Sequence, residues 1–116
     1  MLQRVCCSVQ DFAALLPHPK AGSHKYSRGI LHVIGGSAEY PGAAAMAASS
    51  AQRMGAGYTQ VWCAPESVHD VRCGRPSLVV RAWDEAAVTK ALETDSQRQA
   101  AVLFGPGIGV AGSREA

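Results

Sequence analysis

Two glycine-rich segments, each directly after an apolar run, are the parts of this sequence best suited to chemistry. The first is GGSAEYPG at residues 35–42, and the second is GPGIG at residues 105–109. Glycine permits positive φ angles and lets a ligand approach the main chain closely. If the two apolar runs are neighbouring parallel strands, both segments leave the sheet at its carboxyl edge, where open α/β sheets bind ligands. A helix beginning near residue 42 would add free N–H groups that favour an anion or another acceptor.

The first glycine segment matches none of the common fingerprints with this layout. A dinucleotide-binding motif beginning at Gly35 requires glycines at positions 37 and 40, where the chain has Ser37 and Tyr40. A P-loop beginning at Gly36 requires a lysine after its second glycine, and this segment contains no lysine. A hydrolase nucleophile elbow at Ser37 requires a glycine where Glu39 stands. The loop therefore needs another explanation.

The elements that position these segments alternate between strand and helix. The runs ILHVI at 30–34 and YTQVWC at 58–63 are short and rich in branched residues, so we expect strands. Residues 43–54 favour a helix that begins near Pro41 and stops at Gly55 or Gly57. A strand, helix and strand of this length form a βαβ unit with parallel strands.

The remaining segments continue the pattern. We expect a helix at 9–16, started by Ser8 and Asp11 and stopped by Pro17, and further helices at 67–72 and 84–93, the last capped by Asp84. Strands are expected at 77–80 and 100–104. The alternation predicts an α/β fold with a mostly parallel sheet. Because a covering helix normally follows a parallel strand, the short polar ending predicts a chain truncated after its fourth strand.

Composition excludes several classes of function. The 116 residues suit one small domain, and 47% hydrophobic with 17% charged residues is typical of a soluble globular protein. A net charge of +2 with no strongly basic segment argues against nucleic acid and membrane partners. The four cysteines form no CxxC pair, so we expect no metal site, reduced thiols and a cytoplasmic location.

Several spaced motifs resemble the N-terminal part of the ADP/ATP-dependent NAD(P)H-hydrate dehydratases, YjeF C-terminal-type proteins with a ribokinase-like fold. The matching pieces are His24-Lys25, Gly29, VIGGS, YPGA at 40–43, RMGAG at 53–57, and GPGIG. The resemblance implies a partial ribokinase-like three-layer fold, with residues 1–116 as the N-terminal portion of one domain. Within it, residues 1–23 would form a helix and leader loop, 24–109 the core, and 110–116 a truncated tail.

The resemblance also implies a function. The family repairs hydrated NADH and NADPH: ATP or ADP phosphorylates the hydrate with help from Mg²⁺, and elimination of phosphate restores the dihydronicotinamide. NAD(P)H hydrate would be the substrate, and the family often forms homo-oligomers. The family's catalytic aspartate lies in a later Gly-x-Gly-Asp element and is expected beyond residue 116. No residue of this chain is therefore assigned a catalytic or metal-binding role, and the chain alone is expected to be inactive.

By the same match, Ala43 and Gly109 are the best substrate contacts. The other residues expected to shape the pocket belong to the same two segments: Gly35, Gly36, Ser37, Tyr40, Gly42, Gly105 and Gly107. One departure is Tyr26, which replaces the glycine that usually follows His-Lys in the family.

Two alternatives remain open: part of a ribokinase-like small-molecule kinase, and a non-catalytic nucleotide-binding remnant or subunit. Individual side chains also have simpler explanations. We expect His32 to be a core residue, Trp62 to serve packing rather than base stacking, and Lys25 to be a solvated loop residue.

Overall fold

A four-stranded parallel sheet forms the centre of the computed structural model, which describes residues 2–16 and 18–109. The strands are β1 (Ile30–Ile34), β2 (Tyr58–Cys63), β3 (Val79–Ala82) and β4 (Ala100–Phe104). They lie in the order β3-β2-β1-β4, and every neighbouring pair is parallel. The predicted α/β class is confirmed. The predicted helix stop at Pro17 and the predicted tail at 110–116 lie outside the described residues.

Helices cover both faces of the sheet. The helices of the described residues are α1 (Val9–Leu15), α2 (Pro41–Arg53), α3 (Val68–Gly74) and α4 (Glu85–Asp95), with a 3₁₀ turn at Pro65–Ser67 before α3. Of these, α1 does not pack on the sheet. Helices α2 and α3 pack on one face, and α4 packs on the other, which gives the expected three layers. Ser8 and Asp11 form the predicted capping box of α1, but none of that helix's residues is buried. No helix in residues 2–16 and 18–109 has the length and apolar character of a membrane span.

The face under α2 is a dry apolar core. Ala44 and Ala48 lie one turn apart on α2 and are fully buried against the sheet. Their small side chains let the helix approach Val33 and Val61, which are also fully buried. Odd-numbered residues of β1 face this core because side chains alternate along a strand. This packing holds the start of α2 close to the carboxyl end of β1.

The face under α4 contains a buried hydrogen-bond network of four side chains. The indole N–H of Trp62 donates to Nδ1 of His32 at 3.2 Å, so the ring proton of neutral His32 resides on Nε2. That nitrogen lies 2.7 Å from an Asp95 carboxylate oxygen. The other oxygen of Asp95 accepts from Arg98 at 3.1 Å. His32 is a core residue and Trp62 is 2% exposed, as predicted, and their polar atoms are satisfied inside the fold.

Element boundaries differ from the sequence prediction in two informative places. Strand β3 begins at Val79 rather than at residue 77, because Ser77 is held by Gln52 of α2 through two hydrogen bonds of 3.2 and 2.9 Å. Helix α4 has the predicted Asp84 cap, but it continues two residues beyond the predicted end at 93. That extension carries Asp95 onto His32, a contact the sequence analysis did not predict.

Strand β4 forms one edge of the sheet. It pairs only with β1 among the described strands, and all five of its residues are exposed. Its apolar residues Val102, Leu103 and Phe104 are between 39% and 70% exposed, in contrast to the buried residues of β1 and β2. The apolar surface of the sheet therefore extends to an edge strand that no described element covers.

Removing the Asp95 carboxylate should destabilise the fold measurably. Asp95→Ala leaves the buried N–H of His32 without an acceptor, which costs about 1–3 kcal/mol. Asp95→Asn keeps an acceptor oxygen and should recover part of that loss. Glu93→Ala, an exposed position on the same helix, is the control. Urea unfolding measures the free energies, and equal values for Asp95→Ala and Glu93→Ala would contradict a structural role for the network.

The four cysteines should separate into two classes of reactivity. Cys6, Cys7 and Cys73 are exposed, whereas Cys63 is buried. Burial raises the pKa of the Cys63 thiol above its ordinary value of 9.0, and Arg72 only partly opposes this. Since the thiolate is the reactive form, a thiol reagent at neutral pH should label three cysteines rapidly and Cys63 only after unfolding. Rapid labelling of all four in the folded chain would contradict the core described here.

Candidate functional site

The two glycine loops leave the sheet side by side. Ile34 and Phe104 are register partners at the ends of β1 and β4, so Gly35 and Gly105 begin their loops at the same level. The Gly105 N–H donates to the carbonyl of Ile34 at 3.0 Å, and the Gly35 N–H donates to that of Trp62 at 3.0 Å. The condition for a shared site is met, because β1 and β4 are adjacent and parallel and both loops lie at the carboxyl edge of the sheet.

Hydrogen bonds tie the two loops directly to each other. The Gly36 N–H donates to the Pro106 carbonyl at 2.8 Å, and the Ser37 N–H donates to the Gly107 carbonyl at 2.7 Å. The first loop is also anchored from below, because the Ser67 hydroxyl donates to the Ser37 carbonyl at 2.7 Å. The loops therefore form one backbone unit rather than two independent turns.

The glycines serve this contact between loops. A Cβ at Gly35 would collide with the Pro106 carbonyl, and a Cβ at Gly107 would collide with the Tyr40 carbonyl. Gly36 and Gly107 also have φ angles of 79° and 68°, which side chains disfavour. We expected the glycines to let a ligand approach the backbone, and at these positions they let the other loop approach instead.

The start of α2 faces the same place with free donors. Pro41 occupies the first turn, and the Tyr40 side chain makes no capping hydrogen bond. The first N–H groups of a helix have no partner within the helix, so those of Gly42 and Ala43 are available for an acceptor. The Ser37 hydroxyl is buried and has no hydrogen-bond partner among the described residues. These groups suit a neutral or anionic oxygen, because the helix start carries partial positive charge.

The predicted site residues differ in how closely they are packed. Tyr40, Ala43 and Gly107 converge, since the Ala43 Cβ lies 3.1 Å from the position of a Cβ on Gly107. Gly42 and Gly105 face open space, with nothing within 4 Å of an added Cβ. Gly109 has a φ of 90° at the end of the described residues. Half of the Tyr40 side chain is exposed.

Lys25 and His24 lie away from the loops, near the amino-terminal ends of the strands. The Lys25 ammonium lies 4.9 Å from the ring centre of Tyr26 and 5.5 Å from that of Tyr58. His24 shares hydrogen bonds with Ser27 in its own turn, as expected.

Sequence reasoning missed a cavity on the α4 face. Its volume is about 360 Å³, and three of the residues that line it, Gln60, Arg81 and Arg98, carry polar side chains from separate segments. Nothing in the local spacing of these residues marks them as a group, because only the packing of α4 brings them together. The same holds for Asp95, which reaches His32 only because α4 packs on the sheet.

Comparison with known proteins identifies relatives of this chain. The family model described as NAD(P)H-hydrate dehydratase matches residues 31–115. An ATP-dependent (S)-NAD(P)H-hydrate dehydratase from Ixodes scapularis is 36% identical over 89% of this chain and 33% of its own length. The similarly named protein of Pediculus humanus subsp. corporis is 39% identical over 74% of this chain and 29% of its own. The chain spans about a third of the length of these relatives.

Solved structures with the same fold support that comparison. A ribokinase-like superfamily protein from Enterococcus faecalis V583 superposes with a TM-score of 0.69 and 25% identity, over 86% of this chain and 34% of that one. A hypothetical protein from Streptococcus mutans gives 0.63 and 30%, over 81% and 33%. The predicted ribokinase-like fold is confirmed.

The contact between the loops can be tested at Gly107. Gly107→Ala places a Cβ against the Tyr40 carbonyl at a positive φ, so it should force the loops apart and destabilise the chain by about 1–3 kcal/mol. Hydrogen exchange should show faster exchange of the Gly36 and Ser37 N–H groups. Gly42→Ala is the matched control because its Cβ meets open space. Unchanged exchange in Gly107→Ala would contradict the observed geometry.

Proposed function

This chain belongs to the NAD(P)H-hydrate dehydratase family, and we propose that it supplies the part of such an enzyme that holds the hydrated dinucleotide. One observation carries the proposal: the two glycine loops are bonded into a single unit at the carboxyl edge of the sheet, beside the free N–H groups of α2. In open α/β sheets this edge is the usual place for a ligand.

The proposed contacts combine the family resemblance with that geometry. The nicotinamide end of the substrate would lie against Ala43 and Gly109, with Tyr40 and Gly107 closing the pocket. Its polar oxygens would accept from the N–H groups of Gly42 and Ala43, which lack partners within the helix. The unpartnered Ser37 hydroxyl is available as a further donor or acceptor. In this arrangement the backbone would provide both the shape of the pocket and its hydrogen-bond donors.

The proposed reaction adds a phosphoryl group to the hydroxyl of the hydrate and then eliminates phosphate to restore the dihydronicotinamide ring. The relatives are named ATP-dependent, so we propose ATP as donor, with Mg²⁺ to neutralise phosphate charge as phosphoryl transfer requires. In the described part of the chain, no three His, Cys, Asp or Glu side chains converge to hold a metal ion. We propose that the sites for Mg²⁺, the donor and the catalytic base lie in the part of the relatives that this chain does not match.

Activity assays can test this division of labour. The chain alone, with NADH hydrate, ATP and Mg²⁺, should give no recovery of NADH absorbance. Adding a polypeptide that covers the unmatched two-thirds of the Ixodes scapularis relative should restore activity. Rapid turnover by the isolated chain would contradict the proposed division, and the intact relative serves as the positive control.

Direct binding tests the substrate pocket separately. Ala43→Leu should fill the space beside Gly107 and weaken NADH-hydrate binding about tenfold, since overpacking costs about 1–3 kcal/mol. Ser50→Leu, at an exposed position on the same helix, controls for general effects of added apolar bulk. Calorimetric titration, with the complementing polypeptide present, measures both affinities. Equal affinities for the two variants would argue against substrate contact at Ala43.

A further inference from the structure

We propose that the cavity under α4 is a second binding site, for a small planar heteroaromatic anion. The cavity has a volume of about 360 Å³, within the range of about 300–1,000 Å³ typical of small-molecule sites. Six of its lining residues carry the argument: Tyr26, Tyr58, Gln60, Arg81, Lys90 and Arg98. This proposal is independent of the proposed function.

The cavity is separate from the glycine loops. The cavity extends along β2 from Tyr58 to Trp62, which is in register with Ile34. The loops leave the sheet beyond Ile34 on the side of α2, where Gly36 packs against Ala44. The cavity lies on the face that packs against α4, and the core under α2 lies on the other face of the sheet. A ligand in this cavity would therefore not occupy the loop site.

The charge of the cavity favours an anion. Arg81, Lys90 and Arg98 line it, and Asp95 is the one carboxylate among the lining residues. Asp95 is already engaged by His32 and Arg98, so its charge is largely compensated. Within the described residues, Arg81 and Lys90 form no ion pair. Two cations are thus available to a ligand without the loss of an existing salt bridge.

Aromatic surface lies beside these cations. The rings of Tyr26 and Tyr58 have centres 6.0 Å apart at an angle of 44°. Arg98 lies 4.2 Å from the centre of the Tyr26 ring, and both side chains line the cavity. Aromatic and guanidinium planes stack on the flat bases of nucleic-acid ligands. A planar ring therefore complements this wall better than an aliphatic anion.

The Gln60 side chain indicates which hydrogen-bonding groups a bound ring would carry. Gln60 is only 5% exposed, and it lines the cavity. Its side-chain amide makes no hydrogen bond with any other residue that the structure describes. The amide is open to solvent within the cavity, and it offers both donors and an acceptor to a ligand. A ring with adjacent N–H and C=O groups, as in a pyrimidine, would satisfy it.

Binding of four probes to the full chain tests the proposal. Orotate carries its charge on the ring, and uridine 5′-monophosphate carries it on a phosphate, so the tighter binder identifies the source of the charge. Uridine lacks the charge, and ribose 5-phosphate lacks the ring. We expect at least one of the two charged pyrimidines to bind about tenfold or more tightly than both partial probes. Uridine binding as tightly as the charged pyrimidines would overturn the proposal.

Amide and indole NMR signals locate the binding. A charged pyrimidine should shift the Gln60 side-chain amide and the Trp62 indole N–H, and leave the Gly36 and Gly107 amides unchanged. Shifts confined to the glycine loops, or no shifts with either charged pyrimidine, would overturn the proposal. Neither outcome bears on NADH-hydrate binding at Ala43, which is measured separately.

Variants identify the contacts. Arg81→Gln and Lys90→Gln should each weaken binding about tenfold, the effect of removing one charge-assisted hydrogen bond. Both side chains are exposed, so the fold should survive. Gln60→Leu should cost a similar factor. Arg53→Gln, on α2 across the sheet, is the matched control and should bind normally. Unchanged affinity in both Arg81→Gln and Lys90→Gln would overturn the proposal, even if Gln60→Leu fails to fold.

Discussion

The pairing of β1 with β4 is the constraint on which the rest of the structure depends. These strands are separated by about 65 residues of chain, yet Ile34 and Phe104 end in register. A shift of that register by one residue would reverse which side chains face each core. It would also separate Gly36 from Pro106 and Ser37 from Gly107, whose hydrogen bonds unite the loops. The geometry of the candidate site therefore depends on the register between β1 and β4.

The two faces of β1 stabilise this register by different means. On the α2 face, Val33 meets small helical residues in a dry core, where shape and apolar area dominate. On the α4 face, His32 joins Trp62 of β2 to Asp95 of α4 through directional bonds. Apolar packing tolerates small displacements, whereas a buried hydrogen-bond network specifies one arrangement. The network also ties the central strands to the segment that leads into β4.

Local patterns predicted most of the fold. The strands β1, β2 and β4 begin and end where the sequence predicted. Glycine or polar residues bound β1 and β4, and β2 lies between Gly57 and the Ala64-Pro65 pair. The later start of β3 depends on Gln52, and the two additional residues of α4 bring Asp95 to His32, 63 residues away. Neither contact is visible in a local window. Similarly, the glycine loops could be found from spacing, but their mutual hydrogen bonds required the register, and the cavity under α4 required the packing of that helix.

The glycine loops carry almost no charged side chains, which favours separate locations for substrate binding and phosphoryl transfer in the proposed reaction. Glu39 is the only ionisable acid or base among residues 35–42 and 105–109, apart from the Tyr40 phenol, and Glu39 is exposed. Backbone N–H groups can orient a dinucleotide, but phosphoryl transfer needs cations near the transferred group. The cations that line the cavity under α4, Arg81, Lys90 and Arg98, lie on the face of the sheet opposite the core under α2. Under the proposed function, this surface holds the acceptor substrate, and the cations that phosphoryl transfer needs come from outside the glycine loops.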